Sequence, residues 1–407
     1  MSRRWIFRSV FAASFSASCA ACFQLSADTP SSSIEFNTAT ASLQFFATTA
    51  SGCLSVSPLT LPPPAARAPR RFRPRIVDGH TEGMPSEGEF DLIARLAPFL
   101  ATSGEDLVVG HGDDAAVIDV DGRGVCLAVD VLVEDVHFLR AVSSMSDVGY
   151  KSVAVNCSDL AAMGATPSVA LVGLCRPTDV SSADIQQLYE GMSEACERWG
   201  LRLVGGDTVA AQALAVSVTV MGDVAPEGVV RRSGARPGDH LLVVGSLGAA
   251  AAGLALYRAT GEFDDDLLIA HRRPVARVAA GRTLADGGAT AMIDVSDGFG
   301  ADLTHVCQAS GVGAVVEATA LPAADGVAAV AKRLEVDPYT YIAGGGDDYA
   351  LLAAVPAPAA PALATATGGV VVGEVIAGPP SATLRLPDGS TVDMAGMGWD
   401  HYGEERA

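Results

Sequence analysis

Four stretches of the chain set aspartates at glycine turns beside apolar runs: "GHGDDAAVI" (110–118), "GGDTV" (205–209), "DVSDGFGAD" (294–302) and "GGGDDYALL" (344–352). Neither Asp113 nor Asp114 has a basic neighbour in sequence to neutralise it. Asp and Gly are the ordinary turn residues, so each pair taken alone also reads as a turn. Taken together, carboxylates at element ends can be aimed into one cleft by a rigid scaffold. Asp suits this better than Glu, because its shorter arm loses less rotamer entropy when fixed. Carboxylates gathered without Lys or Arg call for hard divalent cations. Mg²⁺ takes oxygen ligands and keeps positions open for substrate phosphates.

The elements that must hold these aspartates alternate between strand and helix. "EFDLIARLAPFL" has helical apolar spacing, and "GVCLAVDVLV" (124–133) is a β-rich run. Asp147 can cap a helix through "VGYKSVAVNCSDLAAMG", which stops at Gly164 with Pro167 beyond. A helix over 183–199 follows, then a short strand "LRLVG" leading into "GGDT", and a strand over 214–224. After the polar turn cluster "RRSGARPGD" (231–239) come the strand "HLLVVG" and helices 249–258 and 275–286. The strand "AMIDVS", a helix over 299–310, the strand "GAVVEA" and strands near 349–355 and 370–375 complete the pattern. This is a two-domain α/β or α+β chain. Asp114, Asp130, Asp159, Asp207, Asp294, Asp297 and Asp347 fall at or beside the ends of its elements.

Composition and charge narrow the partners. With 407 residues, 49% hydrophobic and 18% charged, the chain is of globular type and long enough for two or three domains. Its net charge of -20 is uneven: residues 1–83 balance at +4 and the remainder at -24. A body that acidic excludes nucleic acid as a partner, since like charges would meet at the phosphate backbone. No apolar run reaches the roughly 18 residues of a membrane helix, and the Ala-rich stretch 353–372 is broken by Pro356, Pro358 and Pro361. Of the eight cysteines, the five in the body are scattered without CxxC or zinc spacing, which reads as buried thiols in a reducing, cytoplasmic setting. Residues 1–83, rich in Ser, Ala, Thr and Pro, are excluded from the fold. They read as a mis-called start with translation from Met84, a targeting segment or a disordered tail.

Phosphates are usually cradled by a Walker loop, and the chain has no GxxxxGK[ST] and only two lysines, Lys151 and Lys332. "GSLGAAAAGL" (245–254) can present backbone N–H groups at a helix start, or serve simply as a strand-to-helix turn. A phosphate-binding protein this poor in Lys must neutralise its ligand mainly with metals.

"GEFDLIARL", "GHGDDAAVI", "DVLVEDVHF", "KSVAVNCSDLAAMGATP", "LVGGDT", "RRSGARPGD", "DVSDGFGADLTHV", "GGGDDYALL" and "GMGWDHYG" together resemble the thiamine-monophosphate kinase family. They stand in that family's order across about residues 88–403. The resemblance implies the fold of the aminoimidazole ribonucleotide synthetase superfamily. An N-terminal ATP- and Mg-binding domain (84–228) would join its sheet to a twin in a homodimer barrel, and a C-terminal α/β domain (229–407) would complete the site. It further implies transfer of the ATP γ-phosphoryl group to thiamine monophosphate, giving thiamine diphosphate. Carried across by motif, the magnesium ligands are Asp114, Asp130, Asp159, Asp207, Asp294 and Asp297. The ATP contacts are Tyr189, Gly206, Asp207, Arg232 and Ser296. His137, Asp347 and Trp399 fall on the thiamine-phosphate side. The chain departs from the pattern at Ala128 and Val129, where the family has a hydroxyl residue before the aspartate, and at Asp347, where the family has Glu. Selenophosphate synthetase, and a cation-binding protein without activity, are the competing readings. The first would need a reactive Cys or selenocysteine, and the second would need no ordered phosphate-site motifs.

Overall fold

The computed structural model describes residues 89–101 and 104–399. The 1–83 extension and the end of the "GMGWDHYG" motif lie outside the described residues. Helix α1 (Glu89–Leu96) precedes a six-stranded sheet made of β1 (Leu107–Val109), β2 (Ala116–Val120), β3 (Arg123–Val133), β4 (Thr166–Arg176), β5 (Arg202–Ala210) and β6 (Ala215–Val224). The strands lie in the order β1-β2-β3-β6-β4-β5. Helix α2 (Met145–Ala162) follows β3, and α3 (Ser182–Trp199) carries the chain from β4 to its parallel neighbour β5. A parallel pair needs such a crossover.

The second sheet has seven strands: β7 (Asp239–Val244), β8 (Ala291–Val295), β9 (Gly313–Glu317), β10 (Ala350–Pro356), β11 (Val370–Ile376), β12 (Ser381–Arg385) and β13 (Thr391–Asp393). Their order is β13-β12-β9-β11-β7-β10-β8. Helices α4 (Ala249–Thr260), α5 (Asp265–Arg272), α6 (Val278–Asp286), α7 (Phe299–Ser310), α8 (Val327–Leu334), α9 (Tyr339–Ile342) and α10 (Ala360–Thr367) connect and cover it.

Helix α2 is the spine. Fifteen of its eighteen residues are buried, among them the polar Lys151, Ser152, Asn156 and Ser158. Val153, Cys157 and Leu160 pack into the core of the first sheet. Ala161 and Ala162 at its end pack instead with Leu242, Met292 and Leu351 of the second. It begins with a capping box: Ser144 accepts from the Asp147 N–H, and Asp147 accepts from the Ser144 N–H. The sequence placed the cap on Asp147 itself, which is the N3 member of that box. Helix α3 repeats the device with Ser181 and Asp184. The two helices cross through reciprocal glycines: a Cβ on Gly149 would stand 1.8 Å from the Leu188 carbonyl oxygen, and one on Gly191 1.8 Å from that of Ser146.

Several elements differ from the sequence reading. Strand β5 does not stop before "GGDT" but runs through it after a bulge, with Gly205 paired to Leu171 and Asp207 to Gly173. The stretch read as one helix over 275–286 starts only at Val278, and α5 precedes it. Strand β4 was not foreseen, because Gly164 and Pro167 read as punctuation after a helix. Pro167 instead sits near the first end of that strand, where a missing N–H is tolerated.

Candidate functional site

The carboxylates converge where α2 meets both sheets. Asp114 stands just before β2, Asp130 on β3, Asp159 in the last turn of α2, and Asp294 near the end of β8. One oxygen each from Asp114, Asp159 and Asp294 lie within 4.8 Å of one another. Strand alternation sends Asp130 to the α2 side of its sheet, with Ala128 and Leu132 buried on the same face. Its backbone N–H donates to Asn156 on α2, at 3.0 Å. Asn156 in turn donates to the Ser152 carbonyl.

Crowding these acids costs free energy, and their proton affinities record it. Burial, then the charges of Asp297 and Asp114, raises Asp130 to about 6. Burial, then Asp114, raises Asp294 to about 8. Asp159 is pushed well above the ordinary carboxylate range by burial and by Asp130, Asp294 and Asp114. Asp114 Oδ2 and Asp294 Oδ2 are buried with no hydrogen-bond partner among the described residues. Such orphaned acceptors carry the full desolvation cost of an unmade bond. A hard divalent cation is the ligand this donor set fits.

Four of the aspartates, Asp113, Asp114, Asp347 and Asp348, have partners that sequence neighbours alone did not suggest. Arg232 donates from Nε to Asp114 Oδ1 at 3.0 Å, and its backbone N–H donates to Asp113 at 2.6 Å. Asp347 accepts from Lys151 Nζ at 2.6 Å and lies 2.6 Å from His271 Nδ1. Its neighbour Asp348 accepts from the Gly248 N–H at 2.9 Å, so that N–H at the start of α4 is taken by a carboxylate. Asp347 and Tyr349 both have positive φ, 72° and 49°. Such conformations persist only where surrounding contacts over-determine them, often at functional sites.

The carboxylates border a cleft of about 480 Å³. Asp130, Asp159, Asp294, Ser296 and Asp297 line one part of it, and His137, His271, Asp347 and Trp399 line another. His137 Nδ1 accepts from the Val133 N–H at 3.1 Å, which fixes its ring at the rim. Trp399 is half exposed, and its backbone N–H donates to the Asp297 carbonyl. It is therefore a rim aromatic and not a core one.

Three of the residues carried over by motif lie elsewhere. Asp207 and Gly206 are exposed on β5, and Asp207 shares a cross-strand row with Gly173, Ser217 and Val131. That row belongs to the open face of the first sheet, where Val129, Leu171 and Val204 are about half exposed. Tyr189 stands on α3, away from the cleft lining. A second group escaped sequence reading: Asp302 and His305 on α7 each offer one ligand atom within 4.8 Å of Asp297. Their i, i+3 spacing was its visible signal.

Comparison with known proteins agrees with the two-sheet layout. The family model described as AIR synthase related protein, N-terminal domain, matches residues 112–224, and the C-terminal domain model matches 236–384. A thiamine-monophosphate kinase of Mycobacterium tuberculosis is 40% identical over 320 residues, 78% of this chain and 92% of that protein. One from Escherichia coli is 34% identical over 77% of this chain and 98% of its own length. A solved structure described as AaThiL complexed with AMPPCP and TMP superposes with a TM-score of 0.69 at 31% identity. The match covers 79% of this chain and 99% of that one.

Proposed function

The chain belongs to the thiamine-monophosphate kinase family, and from that premise we propose that it transfers the γ-phosphoryl group of ATP to thiamine monophosphate. The products are ADP and thiamine diphosphate. The observation that carries this reading is the largely buried triangle of Asp114, Asp159 and Asp294, of which Asp159 and Asp294 line the cleft. The acceptor oxygen of thiamine monophosphate is already anionic at neutral pH, so no side chain need remove a proton. What remains is alignment and charge neutralisation.

Asp114, Asp159 and Asp294 would hold magnesium, with Asp130 and Asp297 beside them. A metal held by these residues would supply positive charge to offset the negative charge of the phosphates. Arg232 keeps Asp114 oriented toward that position, and Ser296 stands at the nucleotide side of the same wall. His137 and Trp399 flank the acceptor side, where a flat indole suits a cationic heterocycle. Asp207 stands on the open sheet face, whose half-exposed Val129, Leu171 and Val204 fit a homodimer barrel of two such sheets, while Gly206 lies in the opposite-facing row with Val172 and Val218. We read residues 84–228 and 229–407 as the two domains, and the cytoplasm as the place of action. No helix among the described residues is long and apolar enough to cross a membrane.

Thiol chemistry of the selenophosphate synthetase kind has little support. Cys126, Cys157, Cys196 and Cys307 are buried, and burial with nearby Asp159 pushes the Cys126 thiol up to about 12. The deciding experiment measures ADP and thiamine diphosphate formed from ATP and thiamine monophosphate across a magnesium titration. Equimolar, magnesium-dependent products support the reading. ATP turnover indifferent to thiamine monophosphate overturns it.

A further inference from the structure

One ammonium gathers three separate segments at the acceptor side of the cleft. Lys151, one of only two lysines in the chain, is 1% exposed at the middle of α2. Its Nζ donates to Asp347 Oδ2 at 2.6 Å and to the His137 carbonyl at 3.0 Å. His271, at the end of α5, brings its Nδ1 to the same Asp347 oxygen, also at 2.6 Å. A buried ammonium is costly unless paired and hydrogen-bonded, and here all the groups it meets belong to the rim of one cleft. His271 Nδ1 also lies 3.3 Å from Lys151 Nζ, so ammonium, imidazole and carboxylate meet in one three-way contact. Burial first, and Lys151 next, lower the proton affinity of His271.

We propose that Lys151 and His271 are positioning residues for the acceptor: through Asp347 and the His137 carbonyl they hold the glycine loop 344–349 and the His137 turn at fixed separation. This deepens the phosphoryl-transfer reading and rests on it. Asp347 then acts mainly inward, on Lys151 and His271. It does not serve as a free countercharge for a cationic ring. The positive φ of Asp347 and Tyr349 fits a loop held by such an anchor. Arg232 and Asp114 take no part in the bridge.

The test compares Lys151→Met, Asp347→Asn and the double variant for the KM of each substrate and for kcat. Each single variant is expected to raise the KM for thiamine monophosphate by about tenfold or more, the scale of a charge-assisted bond. The KM for ATP stays within about twofold, by the same scale. Because the three groups act as a unit, the double variant costs no more than the worse single one. It also leaves no uncompensated buried charge, so it reads the bridge even where Lys151→Met fails to fold. Asp347→Glu keeps the charge and is expected to retain acceptor affinity. An unchanged acceptor KM in folded variants, equal losses for both substrates, or strictly multiplicative effects in the double variant would overturn the assignment alone. No turnover of thiamine monophosphate by the unsubstituted chain would overturn the phosphoryl-transfer reading, and this assignment with it.

Discussion

Arg232 clamps the "GHGDD" loop from the segment that leaves the first sheet, with its guanidinium on Asp114 and its backbone N–H on Asp113. The Asp114 side chain is 1% exposed and that of Arg232 28%. Arg232 is also the cation that moderates Asp159 and Asp294, lowering the proton affinity that burial raises. Arg232→Met leaves Asp114 among carboxylates without that neighbour. Loss of one partner from a buried pair costs about 3–5 kcal/mol, and partial exposure of Arg232 brings the expectation to about 2 kcal/mol. Urea unfolding in a chelator reads this directly, and excess magnesium is expected to restore part of the loss. Unaltered stability in chelator would mean that the clamp is incidental.

Asp159→Asn keeps the shape of the α2 end and removes one charge from the carboxylate triangle. The expected result is a loss of at least about 10²-fold in turnover, roughly 2.7 kcal/mol of transition-state stabilisation, with the fold intact. Circular dichroism checks the fold and saturating-substrate assays the rate. Near-normal turnover at saturating magnesium would remove Asp159 from the metal set.

Gly149 and Gly191 let α2 and α3 touch backbone to backbone. Gly149→Ala puts a methyl group 1.8 Å from the Leu188 carbonyl oxygen, and neither backbone can yield without moving its helix. Overpacking of this kind costs about 1–3 kcal/mol or more, although Ala is the better helix former. A thermal melt is expected to show a clear drop, and α2 displaced in this way carries Lys151, Asn156 and Asp159 with it. Stabilisation by Gly149→Ala would mean that the helix crossing is looser than these distances.

The carboxylates were legible in the sequence because glycine turns and strand ends announce themselves locally. Asp114, Asp130, Asp159, Asp294 and Asp297 do meet near one cleft. Their cations were not legible. Arg232 is 118 residues from Asp114, and Lys151 is 196 from Asp347, so nothing local marks either pair. The scarcity of lysine was visible, and a lone Lys inside the apolar "VGYKSVAV" was the available hint. Strand β4 and the extension of β5 through "GGDT" were hidden because Gly and Pro signal breaks in isolation. Sheet pairing overrides that signal once both neighbours are in place.

Asp130 and Asp294 also tie stability to pH, through proton affinities raised by burial. Without metal, burial and neighbouring carboxylates raise Asp130 from 3.8 to about 6 and Asp294 from 3.8 to about 8. The folded chain then holds protons that the unfolded chain has released, so these two groups favour folding fully below the ordinary carboxylate range. That contribution is lost as pH climbs through about 6 and then about 8. A bound divalent cation rewards the ionised state instead, and protons compete with it. In chelator, the melting temperature is therefore expected to fall between pH 5 and pH 8, within the window these two groups span. Added magnesium is expected to raise it more at pH 8 than at pH 6, since binding to the folded state stabilises by mass action. Asp294→Asn, which cannot ionise, should flatten the chelator profile and blunt the magnesium response together. Equal magnesium stabilisation at both pH values in the unsubstituted chain would separate the carboxylate triangle from metal binding.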